Sequence, residues 1–162
     1  MTKEQVFQKM IEYFRGDPKR IQHFTKVHAY AALIGKSEGL PARQQFILEV
    51  AALMHDIGIK PAEEKYGNCN GKLQEQEGPR PAKEMLIALG ADNDVIERVI
   101  YLIAHHHTYD HVDGKDYQIL IESDFLVNGY EDALSAHAVK SVYDKLFRTE
   151  CGRKICCDMF AI

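Results

Sequence analysis

Phe46-Ile-Leu-Glu-Val-Ala-Ala-Leu-Met-His55-Asp56-Ile-Gly58 is the stretch on which the fold turns. Eight of its first nine residues are apolar or small. It shows no two-residue alternation, so the run from about 41 to 55 is expected to be a buried helix that stops at the breaker between Gly58 and Pro61. An imidazole and a carboxylate then emerge together at the end of that helix. Burying such a pair without partners is costly. Imidazole nitrogen and carboxylate oxygen both suit divalent cations such as Zn, Mn, Fe, Co or Mg, to differing degrees. The plainer alternative is that Asp56 caps the turn at Gly58 and His55 packs against it.

Outward from this helix, apolar residues recur at helical spacing through almost the whole chain, which predicts an all-α helical bundle. A first helix is expected over residues 3–14, ending at Gly16. Asp17 is placed to cap a second, with Pro18 in its first position and Gly35 and Gly39 near its end. Residues 61–81 hold Gly67, Gly71, Gly78 and three prolines in a polar background and are expected to form the longest loop. Further helices are expected over 82–89, 92–106, 117–128 and 131–147. The segment 108–115 reads as a turn-rich connection, and the tail after Gly152 carries no assignment.

The length of 162 residues and the 46% hydrophobic content fit one domain with a sizeable core. The formal charge of −4 gives no basic field, which argues against a dedicated nucleic-acid binder. No apolar run approaches a membrane span, and the N-terminus lacks a signal-peptide pattern, so a cytoplasmic protein is expected. Cys69, Cys151, Cys156 and Cys157 lack paired C-x-x-C spacing and are expected to be reduced thiols.

On the second helix His23 shares the inward face with Val27, Tyr30 and Ile34, whereas His28 lies well around the helix. For His23 alone, a core histidine bonded to a neighbour is the simpler reading. Val95, Ile96, Val99, Ile100 and Ile103 define another inward face, which His106 and His107 continue at i+3 and i+4 from Ile103 while His105 points elsewhere. Glu122 and Asp124 interrupt an apolar stretch of the next helix, and carboxylates so placed need partners.

The ordered set resembles the HD-domain superfamily. The matching segments are Arg20-Ile-Gln-His23-Phe-Thr-Lys-Val27, Ala52-Leu-Met-His55-Asp56-Ile-Gly58, His105-His-His107 and Ile121-Glu-Ser-Asp124. The resemblance implies a single-domain HD-type helical bundle over 1–162, with a core at about 18–130 and a C-terminal helical extension at 131–162. It implies that His23, His55, Asp56 and Asp124 hold one divalent metal, and that the histidines at His105 and His106 serve a second ion in two-metal relatives. Such relatives usually carry a further histidine where this chain reads Gln74-Glu-Gln-Glu77-Gly-Pro79, so Glu77 is the expected substitute, with Glu75 behind it. The cyclic-dinucleotide branch carries His-His-Glu and then Asp-Gly-x-Gly-Tyr-Pro. Here His106-His-Thr108 is followed by Asp113-Gly-Lys-Asp-Tyr-Gln118, so the chain is not placed in that branch.

The expected activity is hydrolysis of a phosphate ester or anhydride of a nucleotide or related small phosphorylated molecule, assisted by one or two divalent ions (Fe, Mn, Co, Mg, Ni or Zn). His55 and Asp56 form the catalytic centre, with Asp56 bridging metals or orienting water. Lys60, Arg80 and Lys83 are candidate phosphate contacts, with ordinary surface charge as the alternative for each. His107, Tyr109 and Lys115 are candidates for lining the substrate pocket, and a homodimer is the assembly considered. Two other readings stay open: a regulatory module that binds metal and nucleotide without turnover, and a di-iron oxygen-dependent enzyme.

Overall fold

The computed structural model describes residues 1–162 and contains ten α-helices and no strand. The all-α expectation therefore holds. The first three helices follow their start and stop signals. Helix α1 (Lys3–Tyr13) opens with a Thr2–Gln5 capping box. Helix α2 (Pro18–Ser37) begins after Asp17, whose side chain accepts from the Arg20 backbone N–H at 3.1 Å. Helix α3 (Ala42–Met54) is buried at every position from Ile47 to Met54. It packs against α1, α2, α7 and α8, which makes it the central rod of the bundle.

The expected loop at 61–81 is instead helical. Residues 59–88 form three short helices, α4 (Ile59–Tyr66), α5 (Gly71–Glu77) and α6 (Pro79–Ala88). Its prolines and glycines are punctuation between helices. Pro61 and Pro79 sit in first turns, where a missing N–H is harmless. Gly67 closes α4 in the left-handed region at φ 69°, a conformation glycine adopts without strain.

Helix α7 (Asn93–His105) buries Val95, Ile96, Val99, Leu102 and Ile103. Helix α8 (Lys115–Glu131) runs further in both directions than the expected 117–128, and Ile119 to Asp124 are all buried. Helices α9 (Ala136–Leu146) and α10 (Glu150–Phe160) complete the chain, so the tail after Gly152 is helical.

Glu122 and Asp124, the carboxylates within the apolar stretch of α8, find different partners. Glu122, fully buried, accepts the backbone N–H groups of Arg148 at 2.7 Å and Thr149 at 3.0 Å, together with the Thr149 hydroxyl and the Gln118 amide. It thereby fixes the junction between α9 and α10 onto α8. No helix is long and apolar enough to cross a membrane.

Candidate metal centre

Four helices deliver donors to one point. His23 comes from the second turn of α2, His55 and Asp56 from the turn that ends α3, His106 from the C-cap of α7, and Asp124 from the middle of α8. His55 and His106 are fully buried, and His23 and Asp124 nearly so. His23 Nε2 lies 3.3 Å from His55 Nε2, 3.2 Å from Asp124 Oδ1 and 3.3 Å from Asp56 Oδ2. His55 Nε2 lies 3.3 Å from Asp124 Oδ1 and 3.5 Å from Asp56 Oδ1.

Gly58 explains how the turn after Asp56 is covered. A Cβ there would stand 2.4 Å from the Gln74 carbonyl oxygen and 2.7 Å from the Gly78 nitrogen, both backbone atoms. Its φ of −70° is ordinary, so the requirement is space for the α5–α6 junction to lie directly on the turn.

Each of three imidazoles has its outer nitrogen engaged and Nε2 facing the centre. His55 Nδ1–H donates to the Ala52 carbonyl at 2.8 Å, His106 Nδ1–H to the Ile103 carbonyl at 2.7 Å, and His23 Nδ1 meets Glu131 Oε2 at 2.8 Å. The inner nitrogens are then left with lone pairs, the tautomer a cation requires. His106 Nε2 has no hydrogen-bond partner although completely buried, and the nearest carboxylate oxygen, Asp56 Oδ1, is 3.6 Å away. A buried, unpartnered nitrogen that faces a carboxylate is free to serve as a cation ligand. Donors about 2.0–2.2 Å from one ion at tetrahedral or octahedral angles stand roughly 2.8–3.6 Å apart. The spacings among His23, His55 and Asp124, and from each of these histidines to one oxygen of Asp56, match that range, so the side chains fit a divalent metal.

The electrostatics agree. Burial opposes the charge on His55, but Asp56 and Asp124 outweigh it and raise its pKa from 6.5 to about 9. Burial likewise opposes the ionised form of Asp56, yet the neighbouring imidazoles bring it from 3.8 to about 2. Asp124 is also held well below the carboxylate range, by His23 and His55 against the burial penalty.

Asp56, His106 and His107 form a second group with donor spacing suited to a metal. It is less prepared. His107 Nε2 meets Gln74 Oε1 at 3.0 Å and Nδ1 meets the Tyr109 hydroxyl at 3.5 Å, so both its nitrogens have other contacts. Burial and the nearby His106 push the His107 pKa down to about 4, leaving the ring neutral.

Above the centre opens a cavity of about 690 Å³, with His23 and Asp56 among its lining residues. His107, Tyr109, Gln74, Phe125, Lys19 and Arg20 line it as well. Arg20 is already paired with Asp17 at 2.5 Å and Glu63 at 2.6 Å, which leaves Lys19 as the uncommitted cation on the wall.

Several expected site residues lie elsewhere. Glu77 is tied to Lys65 and the Tyr66 hydroxyl at the edge of a separate surface pocket, because α5 turns it away from His107. Glu75 takes the inward place, accepting the His107 backbone N–H and the Thr108 hydroxyl at 2.9 Å each. His105 bonds the Tyr101 carbonyl at 2.7 Å and stacks on that ring, outside the cluster. Lys60 reaches back to the Tyr13 carbonyl at 3.3 Å, and Arg80 pairs with Glu84 at 3.0 Å on the surface. Lys83 is exposed on α6. Lys115, at the far end of α8 from Asp124, is bound to Glu38.

Glu131, Lys19 and Gln74 were not anticipated. Both of the first two carried a signal: Glu131 falls seven residues after Asp124 and Lys19 four before His23, each on the ligand's own helical face.

The HD domain family profile matches residues 20–140 of the chain. No curated protein matches it. Among solved structures, a predicted HD superfamily hydrolase from an uncultured Thermotogales bacterium superposes with a TM-score of 0.70 at 27% identity, covering 98% of this chain and 84% of the other.

Proposed function

The chain belongs to the HD-domain family, and from that premise we propose that it hydrolyses a phosphate ester or anhydride of a nucleotide or similarly sized phosphorylated molecule. The observation that carries this reading is the convergence of His23, His55, Asp56 and Asp124, with donor spacings of 3.2–3.5 Å, beneath a cavity of about 690 Å³. That volume lies within the range of small-molecule sites. The similar Thermotogales protein is described as a predicted hydrolase, in keeping with turnover.

His23, His55, Asp56 and Asp124 would hold one divalent ion, and His106 or His107 would join Asp56 around a second. Such an ion supplies Lewis-acid polarisation of a phosphoryl oxygen and lowers the pKa of a bound water. The chain does the rest. Asp56, kept ionised, accepts a hydrogen bond from the attacking water and orients it toward phosphorus. Lys19, exposed in the first turn of α2, attracts the anionic group through its ammonium charge. Neutral His107 and the Tyr109 hydroxyl border the same space and would contact the part of the substrate beyond the phosphoryl group.

The test is phosphate release from a panel of nucleotides, dinucleotides and sugar phosphates with Mn, Fe, Co, Mg, Ni or Zn added. Turnover should vanish in His55→Ala and Asp124→Ala. A wild-type protein that binds metal but releases no phosphate across the panel would refute hydrolysis and make the cavity a sensing pocket.

A further inference from the structure

Three imidazoles face the centre, but only two hold their tautomer with atoms that no substitution removes. His55 and His106 lie at helix C-termini and donate Nδ1–H to carbonyls three residues earlier, Ala52 and Ile103, in their own helices. His23 stands inside α2, where preceding carbonyls are committed to the helical ladder. Its acceptor comes instead from another element, the last residue of α8.

We propose that Glu131 is a positioning residue for the metal centre, fixing the ring and tautomer of His23 so that Nε2 is presented as a lone-pair donor. Its Oε2 lies 2.8 Å from His23 Nδ1 and its Oε1 lies 2.5 Å from Lys26 Nζ. The carboxylate has 14% of its side chain exposed and borders the cavity. Its placement follows from helical geometry: Asp124 and Glu131 are two turns apart on α8, while His23 and Lys26 are one turn apart on α2. The two helices are joined twice, by Asp124 at the inner edge of the His23 ring and by Glu131 at its outer edge.

Glu131 cannot itself share the ion held by Nε2, because it faces the opposite side of the imidazole. Lys26 balances its charge and holds the carboxylate oriented. A carboxylate behind a ligating histidine fixes ring orientation and raises ligand basicity, and losing such a partner typically weakens metal binding about 10- to 100-fold.

Resting on the assignment of this cluster as a metal centre, the test measures binding rather than turnover. Chelator-stripped wild type, Glu131→Ala and Glu131→Gln are titrated with Zn²⁺ alone against a competing chelator. Histidine ¹⁵N spectra of the zinc-loaded proteins report the His23 tautomer. Glu131→Ala should bind zinc about 10- to 100-fold more weakly. Glu131→Gln keeps an acceptor for Nδ1–H, so it should recover part of the loss and retain the Nδ1-protonated His23. It also serves as the informative variant if the alanine form does not fold.

A purely structural role would lower the melting temperature of the metal-free variants while leaving zinc affinity and the His23 signals at wild-type values. That result would overturn the proposal and leave the metal centre standing. If wild type takes up no zinc, the assignment of the centre falls and the role of Glu131 falls with it.

Discussion

Metal-free protein should reveal the cluster through the pH dependence of its stability. In the folded state the His55 pKa is raised from 6.5 to about 9. A raised histidine stabilises the fold fully below its unfolded pKa, and that contribution disappears as pH climbs through the folded value. At about 1.4 kcal/mol per tenfold change in proton affinity, the His55 displacement corresponds to roughly 3 kcal/mol lost between pH 6.5 and 9. Asp56, brought down to about 2, reports some of the same ion pairs from the other partner, so the two are not added. Its contribution is present above 3.8 and lost only as pH falls toward 2. His107 acts in between. Its depressed pKa of about 4 means that the unfolded chain takes up a proton below 6.5 that the folded chain refuses, so stability also declines from 6.5 toward 4. Urea denaturation of chelator-treated protein, followed by circular dichroism, should therefore show a maximum near pH 6.5. The alkaline limb should shorten in His55→Gln. In metal-saturated protein that limb should give way to metal affinity that strengthens with pH, because the ion displaces the His55 proton. A flat profile between pH 6.5 and 9, or an unchanged limb in His55→Gln, would show that the imidazole is not held among ionised carboxylates.

Glu122→Ala should lower stability by about 2–4 kcal/mol, since it strands the Arg148 and Thr149 backbone N–H groups. A melting point lower by roughly 5–10 °C, with earlier proteolysis near α10, would be the signature. Gly58→Ala should destabilise the fold by about 1–3 kcal/mol and reduce metal content, because its methyl group would meet backbone rather than movable side-chain atoms. Glu77→Gln should leave metal content at the wild-type level in elemental analysis, whereas Asp124→Asn should reduce it sharply. In steady-state kinetics, Lys19→Ala should raise KM several-fold with kcat largely retained.

The positions of His23 and His106 were legible because long amphipathic helices carry their phase over several turns. Val27 and Ile34 fix the inward side of α2, and Val99 and Ile103 that of α7. Glu77 and Glu75 show where this fails. Helix α5 spans only Gly71–Glu77 and buries no residue, so no apolar stripe marks its inner face. Two residues apart on a helix is a turn of roughly 200°, enough to exchange inside for outside. Glu131 was missed because α8 was ended too early, at Asn128, although the ladder continues through Glu131. Lys115 could not reach the cavity for a reason of length: nine residues at 1.5 Å rise put it roughly 13 Å along α8 from Asp124.

The way α8 disposes of Glu122 bears on where this protein can be cut. The HD profile ends at residue 140, yet the amides that answer the Glu122 carboxylate belong to Arg148 and Thr149. A minimal fragment drawn at the family boundary would carry an anion in its interior with its counterpart deleted, two residues from Asp124. The smallest self-sufficient unit is thus set by hydrogen-bond valence rather than by homology, and expression designs should keep α10 attached.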